Sequence, residues 1–224
     1  MKKFLYILAA VLLAVSCSHT GKAVKYPDMA ADLDPYPIGT VNIYLDKLFS
    51  SRLKAESVGV SFYPRENAVA LEFKNNTGLY TQFWNQEGRR LFIDALNRYK
   101  EDFANQNLTS NYNKSRAAYG KVKGRFQWKT LKFSAAYRSS PVVELGYRFR
   151  DESPYFAVHQ KAAKEESGAN SEGIKESPQY SLYFTRAQAE ELAALFDEAF
   201  LLKSIGNKQS LPSNSNDRDM YIPR

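Results

Sequence analysis

The fold is decided by residues 114–150, which read KSRAAYGKVKGRFQWKTLKFSAAYRSSPVVELGYRFR. Ten lysines and arginines and one acid, Glu144, fall in this stretch, so its formal charge is +9. Apolar residues alternate with polar ones, as Val122 does with Lys121 and Lys123, and this period of two is typical of strands that bury one face. We therefore predict that residues 114–150 form the central part of an antiparallel sheet with an apolar face and a basic face.

The alternation changes parity within this stretch. Val122, Phe126 and Trp128 have even numbers, whereas the apolar residues Leu131, Phe133, Ala135 and Tyr137 have odd numbers. Because a slip of one residue would send every side chain to the opposite face, we expect a bulge or a tight turn between Trp128 and Thr130.

Other segments add further strands and two amphipathic helices. Asn85 is placed to cap a helix that runs to Ala104, and Thr185 begins a second helix with a Thr-x-x-Gln capping box. Residues 41–52 could form a strand or a short helix, and the helical spacing of their apolar residues favours the helix. An amphipathic helix cannot bury its apolar stripe alone, so both helices must pack on the sheet. The predicted class is α+β, with an antiparallel sheet of about six to eight strands and two amphipathic helices packed on it.

Two parts of the sequence have the same succession of strand, cap and helix. Residues 80–99 align with residues 180–199, which pairs Tyr80 with Tyr180 and the cap Asn85 with the cap Thr185. This spacing indicates a duplicated unit in which a meander of strands precedes a helix, with chance similarity as the alternative. The layout resembles that of whirly and PUR-type nucleic-acid-binding proteins over residues 58–202. The resemblance implies a nucleic-acid-binding module as one alternative function.

The first seventeen residues resemble an export signal that ends in a lipid-attachment site. Lys2 and Lys3 precede an apolar run at residues 4–15, which is short for a bilayer of about 30 Å and has the length of a signal-peptide core. Ala14-Val15-Ser16-Cys17 then resembles the lipobox of bacterial lipoproteins, in which leucine is usual where Ala14 stands. The resemblance implies that the Cys17 thiol receives a diacylglycerol and that Cys17 becomes the new N-terminus. An ordinary secretory signal with a chance cysteine is the alternative.

Export through such a signal predicts a bacterial cell-envelope protein held at the membrane by its N-terminal lipid, on the periplasmic or surface side. Cys17 is the only cysteine, so the mature chain would have no disulfide. Loss of Lys2 and Lys3 would lower the formal charge from +7 to +5, which leaves −4 outside the basic stretch. We predict a signal peptide at residues 1–16, a flexible lipidated tether at 17–40, one α+β domain at 41–203 and a disordered tail at 204–224.

Residues suited to catalysis or metal binding are scarce. A nucleophile needs a base beside it, and a zinc site needs several histidine or cysteine ligands. The chain has two histidines: His19 lies in the tether, and His159 is expected to be an ordinary sheet-surface histidine. Paired acids such as Glu165-Glu166 lie in a polar loop, and no glycine-rich phosphate loop occurs. We therefore predict no catalytic residue, no metal, no cofactor and no enzymatic activity.

The basic face is the candidate functional site, as a docking surface for an anionic partner. The candidate anion-binding residues are Lys121, Lys123, Arg125, Lys132, Arg138, Arg148 and Arg150. The expected partner is an anionic envelope component or an acidic protein, since an envelope location argues against nucleic acid. Three alternatives stay open: a structural or assembly protein whose basic residues only prevent edge pairing, a carrier of an apolar ligand between sheet and helices, and the whirly- or PUR-like module.

Overall fold

A ten-stranded antiparallel sheet forms the frame of the protein. The computed structural model describes residues 33–46, 52–75, 78–130, 136–168 and 174–210. The strands are β1 (Tyr36–Asp46), β2 (Leu53–Tyr63), β3 (Ala68–Asn75), β4 (Gly78–Asn85), β5 (Gly120–Lys123), β6 (Arg125–Thr130), β7 (Ala136–Ser139), β8 (Val142–Arg150), β9 (Ser153–Gln160) and β10 (Tyr180–Phe184). The helices are α1 (Gln86–Ala104), α2 (Tyr112–Ser115), α3 (Arg186–Phe196) and α4 (Glu198–Ser210). The α+β class is confirmed, but the sheet has more strands than predicted.

The sheet is curled into a half-barrel, with strand order β5-β8-β9-β10-β1-β2-β3-β4-β6-β7. Gly124 alone links β5 to β6, and Ser140 and Pro141 link β7 to β8. Both links therefore join the edge of the sheet formed by β5 and β8 to the opposite edge, formed by β6 and β7. Because consecutive Cα atoms are about 3.8 Å apart, these ends must lie close together. The Gly124 backbone N–H donates a hydrogen bond of 2.9 Å to the Pro141 carbonyl and ties the two connections. We call the line along which the ends meet the seam.

Helices α1 and α3 pack on the inner face of the curled sheet. Helix α1 contacts β4, β5 and β8, on both sides of the seam, while α3 contacts α1, β1, β9 and β10. Where the helices meet the sheet, aromatic rings pack with centroids 5.1–6.4 Å apart, which adds to the stabilisation from burial alone. These rings belong to Phe92, Phe156, Phe184 and Phe196.

Strand β1 occupies residues that were predicted as tether and as helix. Val41, Ile43 and Leu45 are buried, and β1 pairs with β2 along its length and with β10 near its end. Val41 and Leu45 fit both the helical spacing and this period of two, and pairing with two neighbouring strands decides in favour of a strand. Pro37 is tolerated because the register shifts directly after it. The sheet therefore begins before residue 41, and residues 41–46 form a strand and not the favoured helix, while residues 47–51 lie outside the described ranges.

The C-terminal helical region is longer than predicted. The capping box is confirmed: the Gln188 backbone N–H donates to Thr185 Oγ1 at 3.3 Å, and the Thr185 N–H donates to Gln188 Oε1 at 2.9 Å. Helix α4 follows α3 after one residue and continues to Ser210, because its Leu201 and Ile205 are buried. Residues 204–210, which were predicted as tail, therefore belong to the domain, and residues 211–224 lie outside the described part of the chain.

Asn85 caps α1 as predicted, since its Oδ1 accepts a hydrogen bond of 2.8 Å from the Gly88 N–H. The bulge or tight turn expected between Trp128 and Thr130 is wrong, because β6 pairs with β4 through Thr130 with no shift of register. Trp128 faces Tyr137 in the antiparallel β6–β7 pair, and residues 131–135 between these strands lie outside the described residues. Two three-stranded meanders, β2–β4 and β8–β10, each precede a capped helix. Whether they arose by duplication stays a prediction.

The predicted signal peptide, Cys17 and the tether up to residue 32 lie outside the described residues. Within the described ranges, no helix is long and apolar enough to cross a membrane.

Candidate anion-binding sites

The seven predicted anion-binding residues do not share one surface. Lys121, Lys123, Arg125 and Arg138 lie on the strands that border the seam, Arg148 and Arg150 lie at the far end of β8, and Lys132 lies outside the described residues. The single basic face expected from the sequence is thus divided into two regions of the outer face of the sheet.

The outward side chains of β5, β6 and β7 form a basic strip along the seam. Val122, Phe126 and Trp128 are buried on the inner face, so the side chains between them point outward, as the alternation predicted. Strand β5 continues into β6 through Gly124, and β6 pairs with β7. We call this strip the seam surface; its cations are Lys121, Lys123, Arg125, Lys129 and Arg138.

Acids pair with two of these five cations. Arg125 forms an ion pair with Glu66 and lies 3.8 Å above the centre of the Phe83 ring. Lys121 Nζ lies 3.3 Å from Glu144 Oε1. The other three cations of the seam surface have no ion-pair partner among the described residues. A groove of about 480 Å³ separates residues 121–125 from the start of α1.

Glu144 is the one acid of the basic stretch, and it is buried although the sequence analysis placed it on the exposed basic face. Only 3% of its surface is accessible, and three cations surround its carboxylate: Arg116 at 2.6 Å, Lys161 at 2.8 Å and Lys121 at 3.3 Å. Burial alone would raise the pKa of Glu144. Hydrogen bonds from the two lysines and the charge of Arg116 outweigh it and hold that pKa below its usual value.

Glu144 is covered because α2 and the residues after it cross the outer face of β8. Gly146 permits this crossing, since a Cβ atom at that position would lie less than 3.0 Å from the carbonyl oxygens of Ser115 and Arg116. The crossing brings Arg116 to Glu144 and Tyr112 over the neighbouring strands. A four-residue helix in a polar connector gives no hydrophobic period, so the sequence analysis did not find it.

Arg148 and Arg150 meet at the Tyr183 hydroxyl of β10. Arg148 Nη1 donates to Tyr183 Oη at 3.3 Å, Arg150 Nη2 donates to it at 3.2 Å, and the hydroxyl donates to Asp46 Oδ2 at 2.9 Å. Arg150 also forms an ion pair with Asp46, whereas Arg148 lies under the Tyr112 ring, 4.7 Å from its centre, and has no ion-pair partner within the described ranges.

His159 lies between these groups and is buried, with 2% of its surface accessible, rather than exposed on the sheet surface as predicted. Its Nδ1 is 2.7 Å from Ser181 Oγ, and its Nε2 has no hydrogen-bond partner among the residues described. Burial, followed by the positive charges of Arg116 and Arg148, lowers the pKa of His159 to about 4, so the imidazole is neutral at pH 7.

A cavity of about 300 Å³ opens beside His159, and we call it the outer pocket. Its wall includes Asp46, Tyr112, Arg116, Arg148, His159 and Ser181. No three histidine, cysteine or acidic side chains of the described ranges cluster as metal ligands would.

Comparison with known proteins gives a family for this fold. The model of a family described as "Uncharacterised Treponema protein" matches residues 35–203. This chain belongs to that family. A relative in the family's namesake genus, an "Uncharacterized protein" of Treponema pallidum (strain Nichols), is 22% identical over 145 residues, which are 64% of this chain and 52% of the relative. The chain thus spans about half the length of that relative. No solved structure matches this chain.

Proposed function

We propose that this protein is a non-catalytic, lipid-anchored envelope protein whose seam surface binds an anionic envelope polymer or an acidic protein. The observation that carries the proposal is the placement of five cations on the outer face of three successive strands, three of them without an acid partner among the described residues. Clustered charge of one sign attracts a polyanion and raises its local concentration.

The spacing of the cations suits an extended polymer. Outward residues on one strand are about 6.8 Å apart, because each residue rises roughly 3.4 Å. Arg125 and Lys129 are four residues apart on β6, so roughly 14 Å separates them, and Lys123 precedes Arg125 across the link at Gly124. Repeated anionic groups can align along a row of these three cations. The Arg125 guanidinium stacks over the Phe83 ring and pairs with Glu66, so the position of this side chain in the row is well defined.

Heparin affinity chromatography tests the proposal with heparin as a model polyanion. The variant K123E/K129E/R138E reverses only the cations of the seam surface that have no described ion pair, so no described internal ion pair is lost. The control K114E/K175E/K203E makes the same change of net charge at three exposed lysines outside the seam surface that likewise have no described ion pair. We expect the wild type and the control to elute at similar salt concentrations and the seam variant to elute much earlier.

Equal elution of the two variants would contradict the proposal, because retention would then follow net charge alone. In that case the basic residues keep the sheet soluble and prevent edge pairing, as expected of a structural or assembly protein. The carrier alternative has less support, since aromatic rings fill the space between the sheet and the helices around Phe92 and Phe156.

A further inference from the structure

We propose that the free edge of β5 binds an extended acidic segment of another protein as an added strand. The proposed partner depends on the function proposed above and makes it more specific, because it selects the acidic protein from the two partners named there. Three features of the molecule lead to this partner: the unpaired backbone of β5, the groove beside that edge, and the alternation of lysine and valine along the strand.

The unpaired edge follows from the alternation of hydrogen bonds. Strand β5 stands at one end of the sheet and pairs with β8. The Gly124 N–H donates to the Pro141 carbonyl on that side. Alternate residues of an antiparallel strand bond to the same neighbour, so Val122 also bonds to β8, while the N–H and C=O groups of Lys121 and Lys123 point to the opposite side. Within the described ranges, no strand pairs with these two residues there.

The groove of about 480 Å³ gives a partner access to this edge. Residues 121–125 line it in unbroken succession, as the edge of a strand does. Strand β4 pairs with β6 as far as Phe83 and Arg125, and beyond that point the groove separates β4 and α1 from β5. An added strand would lie beside β5 as β4 lies beside β6. The edge strand at the other end, β7, is covered, since the Glu166 N–H donates to the Arg138 carbonyl at 2.8 Å.

The side chains of β5 select the charge and the pattern of the partner. Lys121 and Lys123 are exposed on the outer face, whereas Val122 points inward and lines the groove together with Leu91 of α1. Residues directly opposite each other on paired strands have their side chains on the same face, so acids opposite the lysines and an apolar residue opposite Val122 complete the pair. Lysines on an edge repel a second copy of the same strand, which leaves an acidic partner.

The remainder of the groove favours a protein segment over a uniformly anionic polysaccharide. Glu87 of α1 lines the groove across from β5, and Glu66 lies beside Arg125. A polymer with an anionic group on every unit would bring negative charge toward these carboxylates as well as toward the lysines. A strand of alternating pattern presents its acids to the lysines alone, and its backbone satisfies the free N–H and C=O groups of β5, as in other cases of β-strand addition.

Amide hydrogen exchange with a synthetic peptide tests the added strand. The probe TEVEVET alternates glutamate and valine, and the control is the same peptide N-methylated at its glutamates, which keeps the charge but removes the N–H groups that face β5 in an antiparallel pair. In the free full chain, we expect the Val122 amide to be protected and the amides of Lys121 and Lys123 to exchange fast. The probe should slow the exchange of both lysine amides about tenfold or more, and the control should bind about tenfold more weakly and protect neither.

Two variants of Lys123, which has no ion-pair partner among the described residues, separate backbone from charge. K123Q removes the charge alone, whereas K123P also removes the N–H that faces the groove and leaves the bonds to β8 in place. We expect K123P to bind the probe about tenfold more weakly than K123Q does.

Protection of Lys121 and Lys123 in the free protein, or equal binding of the two peptides, would overturn the added strand, and the wild-type comparison decides this even if K123P does not fold. If a heparin fragment then still binds through the seam surface, the function proposed above stands with a polymer as its partner. Loss of both heparin and peptide binding at the seam surface would overturn both.

Discussion

Two adjacent arginines of α1 offer a stringent test of the fold, because one of them is buried and the other is exposed. Arg89 is 1% exposed, whereas the side chain of Arg90 is 67% exposed and pairs with Asp94. Arg89 donates to the Asn67 carbonyl at 2.7 Å, to Asn67 Oδ1 at 2.8 Å, to the Trp84 carbonyl at 3.3 Å and to Glu198 Oε2 at 2.9 Å. One side chain thus joins the turn after β2, the end of β4 and the start of α4.

The cost of Arg89→Ala follows from these bonds. Three of them go to buried neutral acceptors, and each lost bond costs about 1 kcal/mol. The bond to Glu198 adds little, since that carboxylate is partly exposed and can be solvated again. The expected loss of unfolding free energy is about 3 kcal/mol. Arg90→Ala, which makes the same change of helix propensity, should cost no more than about 0.5 kcal/mol.

Urea unfolding of the two variants and the wild type measures the difference. Arg89→Met keeps most of the side-chain volume but none of the hydrogen bonds, so it should remain well below the wild type in stability. If R89A and R90A unfold within 1 kcal/mol of each other, or if Arg89→Met restores the wild-type midpoint, the hydrogen-bonded role of Arg89 is refuted.

Three further predictions concern the outer face and the anchor. Gly146→Ala should push α2 away from β8 and expose His159, so the pKa of His159 should move from about 4 toward its ordinary value in an NMR titration, whereas an unchanged pKa would contradict the packing. His159 binds a proton in the unfolded chain below its ordinary pKa of 6.5 but in the folded chain only near 4, so stability should fall as the pH drops through that window, by about 3 kcal/mol in total. His159→Gln should remove that slope in pH-dependent urea unfolding, and an unaltered slope would assign it to other groups. Cys17→Ala should abolish palmitate labelling and release the protein from membranes, and continued membrane association would argue against a lipid anchor.

Local patterns in the sequence were sufficient to predict elements that are determined by residues a few positions apart. The period of two in β5 and β6 and the caps Asn85 and Thr185 depend on residues within a few positions, and the structure agrees with them. At β1 Val41 and Leu45 fit both periods, and only the pairing with β2 and β10 selects the strand.

The candidate sites depend on contacts between distant parts of the chain, which the alternation does not contain. The alternation correctly predicted that Lys121 and Lys123 point outward, but it could not show that the chain crosses the seam at Gly124. It also could not show that α2 would cover Glu144 and His159. Gly146 was the available signal, because a glycine within an otherwise bulky strand indicates close approach of another backbone segment.

The salt dependence of heparin binding tests the central claim about the seam surface most directly. The binding constant of the wild type and of K123E/K129E/R138E for a heparin fragment of defined length is measured over a series of salt concentrations. Each cation that contacts the polyanion adds about 1 to the slope of log K against log salt, so the variant should lose about 3 from that slope. An unchanged slope in the variant would show that these cations do not contact the polyanion and would contradict the account.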